Sequence, residues 1–71
     1  MQKVKEILER ELGVTPRTVG NSLKATIPYL KNGDVVMLND IYMSDSLGIE
    51  EIEIKRSGKG LTVILTFEEL L

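Results

Sequence analysis

The chain has 71 residues, 42% apolar and 28% charged, with a formal net charge of −2; this describes one small folded domain and excludes a disordered tail or a strongly basic nucleic-acid coat. Histidine, cysteine and tryptophan are absent, which excludes histidine-based triads, thiol nucleophiles and every zinc site built on His or Cys. A domain of this size buries only about 60% of its unfolded surface, so with no disulfide to reinforce it, self-association is a live expectation from the start.

Residues 2–12 are predicted to form a helix. Val4, Ile7 and Leu8 fall at i, i+3 and i+4, and Leu12 continues the stripe one turn on. Lys3, Lys5, Glu6, Glu9, Arg10 and Glu11 occupy the solvated positions. Gly13 suits the left-handed residue after a helix, and Pro16 prevents re-entry. From Arg17 the period becomes two: Leu23, Ala25 and Ile27 alternate with Lys24 and Thr26, which predicts a half-buried strand over 22–28. Pro28 ends that strand or puts it at a sheet edge, where it would accept a partner strand.

Lys31-Asn32-Gly33-Asp34 carries a turn signal, and Val35-Val36-Met37-Leu38 reads as a short buried strand after it, in a hairpin with 22–28. In the stretch 39–48, Asn39 or Asp40 suits the cap of a single helical turn, closed by Leu47-Gly48. Glu51-Ile52-Glu53-Ile54-Lys55 alternates, and Leu61, Val63, Leu65 and Phe67 alternate against Thr62, Ile64 and Thr66. Ser57-Gly58-Lys59-Gly60 between them reads as a hairpin turn. Glu68-Glu69-Leu70-Leu71 reads as a terminal helical turn. The expected fold is therefore α+β, a single domain over 1–71: an N-terminal helix packed on a small antiparallel sheet of about four strands, with a C-terminal β-hairpin. Leu12-Gly13-Val14 and Leu47-Gly48-Ile49 share one form, which a glycine-terminated helix feeding a strand produces without duplication.

The longest apolar run, 35–38, is too short to span a bilayer. Met1-Gln2-Lys3-Val4-Lys5-Glu6 lacks the apolar stretch of a secretory signal, which leaves a cytoplasmic location as the default expectation. Asp34, Asp40 and Asp45 lack the alternating spacing, central glycine and closing glutamate of a calcium loop. Glu51 and Glu53 fall on the outer face of a strand whose Ile52 and Ile54 point inward, where nothing raises a carboxylate pKa for acid–base work. Gly58-Lys59-Gly60 lacks the Ser or Thr that follows the lysine of a phosphate loop. No catalytic residue, metal or cofactor is expected.

Arg17-Thr18-Val19-Gly20-Asn21-Ser22, running without a gap into Leu23-Lys24-Ala25-Thr26-Ile27-Pro28, resembles the opening strand of the AbrB/MazE-like swapped-hairpin family. Residues 47–54 and 60–65 are similar to that family's second half, a Leu-x-Ile helix end followed by two strands. The resemblance implies a dimeric DNA-binding regulator or antitoxin whose two chains interleave their hairpins. Its implied nucleic-acid contacts are Arg17, Asn21, Ser22, Lys24 and Lys31. The family places an amphipathic helix directly after Ile-Pro; here 29–34 reads as too short for one, and the basic surface is thin.

The function expected first is a small non-enzymatic protein-interaction module. It would be an inhibitor or adaptor of phage or mobile-element type that acts by occluding a partner. The swapped-hairpin DNA-binding regulator is the alternative. The candidate protein-interaction surface is Glu50, Glu51, Glu53, Lys55, Arg56 and Lys59, with Glu68 and Glu69 adding to the acidic side. The expected partner is a protein of unspecified identity, with DNA as the alternative, a homodimer compatible with the small core, and no membrane.

Overall fold

A computed structural model of the chain describes residues 1–68. The apolar stripe at the N-terminus forms α1, Gln2–Leu12, which buries Val4 and Leu8. Gly13 ends it in the left-handed conformation (φ 71°), its N–H donating to the Glu9 carbonyl at 3.1 Å. A fully buried Pro16 then leads into β1, Arg17–Val19, and the Gly20-Asn21 turn returns the chain along β2, Ser22–Ile27. After α2, Asn32–Tyr42, a 3-10 turn at Asp45–Leu47 and a left-handed Gly48 deliver β3, Ile49–Ser57. The Gly58-Lys59 turn then brings in β4, Gly60–Phe67. The residues 69–71, where the sequence suggested a terminal helical turn, lie outside the described ones, and Glu68 is exposed.

The four strands make one antiparallel sheet in the order β1-β2-β4-β3. Both helices cover the same face of it. Val4, Leu8, Leu38 and Ile41 from the helices join Leu23, Ile27, Ile49, Val63, Leu65 and Phe67 from the sheet in one core. The α+β expectation therefore holds, with α1, β2 and the β3–β4 hairpin where periodicity put them.

Three sequence expectations are corrected. The run 35–38 is not a strand but the middle of α2. The turn signal before it is the first turn of that helix: the Asp34 carboxylate, almost fully buried, accepts the Lys31 backbone N–H at 3.1 Å. Asp34, Leu38 and Ile41 then form the buried stripe, leaving Val35 and Val36 on the outside. There is accordingly room for a helix soon after Ile27-Pro28. Third, of the two roles open to Pro28, it ends the strand, since β2 stops at Ile27, and β2 is not an edge: β1 covers one side of it and β4 the other.

The Asp34 bond satisfies one of the orphan donors at the start of the helix. Asp34→Ala should lower stability by about 0.5–2 kcal/mol, read from chemical denaturation. Asp34→Asn, which keeps an acceptor oxygen, should lose less.

The chain is built as helix–hairpin twice over. Gly13 ends α1 and Gly48 ends the 3-10 turn that follows α2, and Gly20 and Gly58, at φ 61° and 59°, open the two hairpin turns. The step from 20 to 58, 38 residues, also carries Ala25 onto Val63, its direct cross-strand partner. The two hairpins are thus related by an approximate two-fold axis through the Ala25–Val63 pair. The second unit places more chain between its two glycines (48 to 58, against 13 to 20), and its strand begins directly after Gly48 where residues 14–16 precede β1, so β3 is nine residues long where β1 has three.

Candidate functional site

The helix-free face of the sheet is read from the register. Arg17, Lys24, Ile64 and Glu53 run across all four strands in one row, and Val19, Ser22, Thr66 and Glu51 in the next. Thr26, Thr62 and Lys55 form a third. This face is therefore lined with hydroxyls, basic on the β1–β2 side and acidic on the β3 side. Arg17 and Lys24 are directly opposed, an unfavourable like-charge pair. Among the described residues neither takes part in an ion pair.

The five residues that the family resemblance nominated divide between roles. Asn21 is committed to the fold: its side-chain amide donates to the Phe67 carbonyl at 2.9 Å, and the Phe67 N–H donates to the Asn21 carbonyl at 2.9 Å. The Ser22 hydroxyl lies 3.3 Å from that of Thr66. Arg17 and Lys24 share the open face, whereas Lys31 stands at the start of α2 in the helix layer. Only two of the five therefore present a charge together.

The acidic–basic group assembles on one feature. Glu50, Glu51, Glu53, Lys55 and Arg56 are all exposed on β3, and Lys59 is in the turn that follows. Glu53 and Lys55 are paired at 3.6 Å, an exposed contact worth little on its own. Since β3 ends the sheet, one side of its backbone has no neighbour among the described residues. A bulge at Ile49/Glu51 interrupts the ladder just before the charged run.

Beside this edge is a feature that the strand reading of 35–38 concealed. Leu30, Val35, Leu38 and Tyr42 face Ile52 and Ile54 across an open groove of about 330 Å³ between α2 and β3. Val35, Tyr42 and Ile54 are 50%, 44% and 45% exposed. A second helical spacing (35, 38, 42) beside the buried one (34, 38, 41) is the signal that could have found it, because it makes α2 apolar over a wider arc than the core consumes.

No protein-family model, curated protein or solved structure matches this chain. The surfaces therefore have to be read from their own chemistry. Asp34, Asp40 and Asp45 are spread from the start of α2 to the 3-10 turn, and among the described residues no group of three or more acidic side chains is placed to hold a metal ion. No helix among the described residues is long and apolar enough to cross a membrane.

Proposed function

We propose that this chain is a non-enzymatic binding module that takes up an extended polypeptide along the free edge of β3. The observation that carries the reading is the juxtaposition of a nine-residue edge strand with an open apolar groove. Such an edge offers main-chain hydrogen bonds for affinity, and an adjoining groove sorts the alternate side chains of the incoming strand. The segment best suited to it would place apolar residues over Leu38, Ile52 and Ile54 and basic residues beside Glu51 and Glu53. By occupying that segment the module would keep it from other contacts, which is how a small inhibitor or adaptor acts without chemistry of its own.

Nucleic-acid binding is the second reading, and the opposed Arg17–Lys24 pair favours it. Its weight is limited by number. Two phosphate contacts give a salt slope of only about −1.8, against −5 to −9 for proteins making six to ten.

Capture from cell extract on the immobilised chain separates the two, with two variants as controls. Val35→Asp/Ile54→Asp changes two half-exposed positions at a cost of about 1–2 kcal/mol, so its circular dichroism is compared with that of the parent chain. It should lose the captured protein entirely, while Arg17→Ala/Lys24→Ala retains it. Retention by the groove variant would contradict the reading. Nucleic acid held by the parent chain and lost from the basic-pair variant would establish the second.

A further inference from the structure

Resting on the reading of β3 as a binding edge, we infer that its occupant is a second copy of this chain, with β3 pairing antiparallel to β3 about a two-fold axis at Glu53.

The backbone fixes which registers are open. Ser57 and Gly60 close a two-residue turn, so they form the hydrogen-bonded pair of that turn. Hydrogen-bonded and non-hydrogen-bonded pairs alternate along an antiparallel ladder. Arg56, Ile54 and Ile52 consequently turn their N–H and C=O groups away from β4, toward the free edge. A second β3 must meet them with its own outward-facing groups, so a symmetric pairing has to centre on one residue of the strand.

Charge chooses the centre. The strand reads Glu50-Glu51-Ile52-Glu53-Ile54-Lys55-Arg56, and its charges reverse sign about Glu53. Centred there, Glu51 opposes Lys55 of the second copy and Ile52 opposes Ile54, each twice by symmetry. Glu50, next to the bulge, approaches Arg56. Centring on Ile52 would oppose Glu51 with Glu53, two like charges. Centring on Ile54 would oppose Glu53 with Lys55 but set Ile52 against Arg56 and leave Glu51 against Ser57, so that only the Glu53 centre matches both the charges and the isoleucines. At the axis Glu53 meets its own image, one unfavourable like-charge pair set against the two Glu51–Lys55 pairs of this register. Charges along an edge ordinarily discourage strand addition; an order that is its own complement offsets that cost for a second copy of the same strand.

The apolar surface agrees. A two-fold axis normal to the sheet keeps both α2 helices on the same side, so the two grooves flank the seam and Ile54, with Val35 and Tyr42 behind it, is covered. The other end of the sheet is blunted by the three-residue β1, so association stops at a closed dimer.

Light scattering coupled to size exclusion, at low and moderate concentration, should give twice the chain mass of 8.0 kDa. Glu51→Lys, which sets like charges opposite Lys55 twice, should halve that mass, and Glu51→Lys/Lys55→Glu should restore it. The chain has no cysteine, so single cysteines report the register. In the proposed pairing the two copies of residue 53 form a non-hydrogen-bonded pair with Cα atoms about 4.5 Å apart, within disulfide reach. The two copies of residue 55 lie roughly 13 Å apart along the strands. Mild oxidation should therefore link Glu53→Cys and not Lys55→Cys. A parent chain that stays at 8.0 kDa, or equal linking of both cysteine variants, would overturn the inference. A monomer would leave the binding reading to the capture experiment, so the two failures are separately visible.

Discussion

Leu65→Ala is expected to bring the chain to the edge of unfolding. Leu65 is fully buried and lies between Leu23 of β2 and Ile52 of β3 on the helix-covered face. Truncating such a leucine costs about 2–5 kcal/mol, transfer and cavity terms together. A core this small supplies no more than about 3–5 kcal/mol in total. At about 4–8 °C per kcal/mol for a domain of this length, the Tm should fall by at least roughly 8 °C, and the larger losses leave no folded state. Ile64, its neighbour in sequence, points to the open face and is half-buried, so Ile64→Ala should cost about 1 kcal/mol or less. Thermal melts of the two variants test the sheet's facing directly. A larger loss for Ile64→Ala than for Leu65→Ala would mean that β4 is turned the other way.

Gly60→Ala is expected to be the next most damaging change, for a reason that is not conformational. Gly60 needs no positive φ; its backbone closes on the end of β2, and an added Cβ would lie 2.5 Å from the Ile27 carbonyl oxygen. That oxygen is main chain and cannot rotate away, so β2 or the hairpin has to shift, at an overpacking cost of about 1–3 kcal/mol. Gly58, two residues earlier, is the opposite case. It has open space around the missing Cβ but a φ of 59°, so Gly58→Ala should cost about 1 kcal/mol. Urea denaturation should rank Gly60→Ala below Gly58→Ala. The reverse order would contradict the close approach of the two strands.

The parts of this fold that periodicity revealed are those whose local pattern and tertiary role agree. The stripe of α1 carries its own stop signal at Gly13, and the β3–β4 hairpin carries alternation on both arms and a glycine-rich turn between them. α2 was hidden because Val35 and Val36 favour strands, and Lys-Asn-Gly-Asp has turn composition. What overrides both is one bond, from the Lys31 N–H to Asp34, together with burial of Leu38 and Ile41. β1 is three residues long, too short to display a period, and without it β2 looked like an edge.

The same distinction governs the surfaces. The charged run on β3 is contiguous in sequence and was legible there, as was its exposure. The groove was not, because it exists only where α2 is laid against β3, joining Val35 and Tyr42 to Ile52 and Ile54. Asn21 and Ser22 show the converse: a Gly-Asn-Ser string that suggested phosphate contact instead holds the turn against β4.

The two surfaces differ in what they leave unsatisfied. On the β1–β2 side it is a repulsion between two side chains; on the β3 side it is a row of main-chain donors and acceptors beside exposed apolar groups. Solvated charge at an exposed pair contributes little, whereas an edge strand next to an apolar groove combines directional bonds with area removed from water.

Amide hydrogen exchange resolved by residue, comparing the dilute chain with the associated or partner-bound state, shows whether the β3 edge is the surface that becomes covered. In the dilute chain the amides of Glu51, Glu53 and Lys55, turned toward β4, should exchange slowly, while those of Ile52, Ile54 and Arg56 exchange fast. On association, new protection is expected at Ile52, Ile54 and Arg56 and none across Arg17 to Lys24. Protection gained only across Arg17 to Lys24, with β3 unchanged, would contradict it.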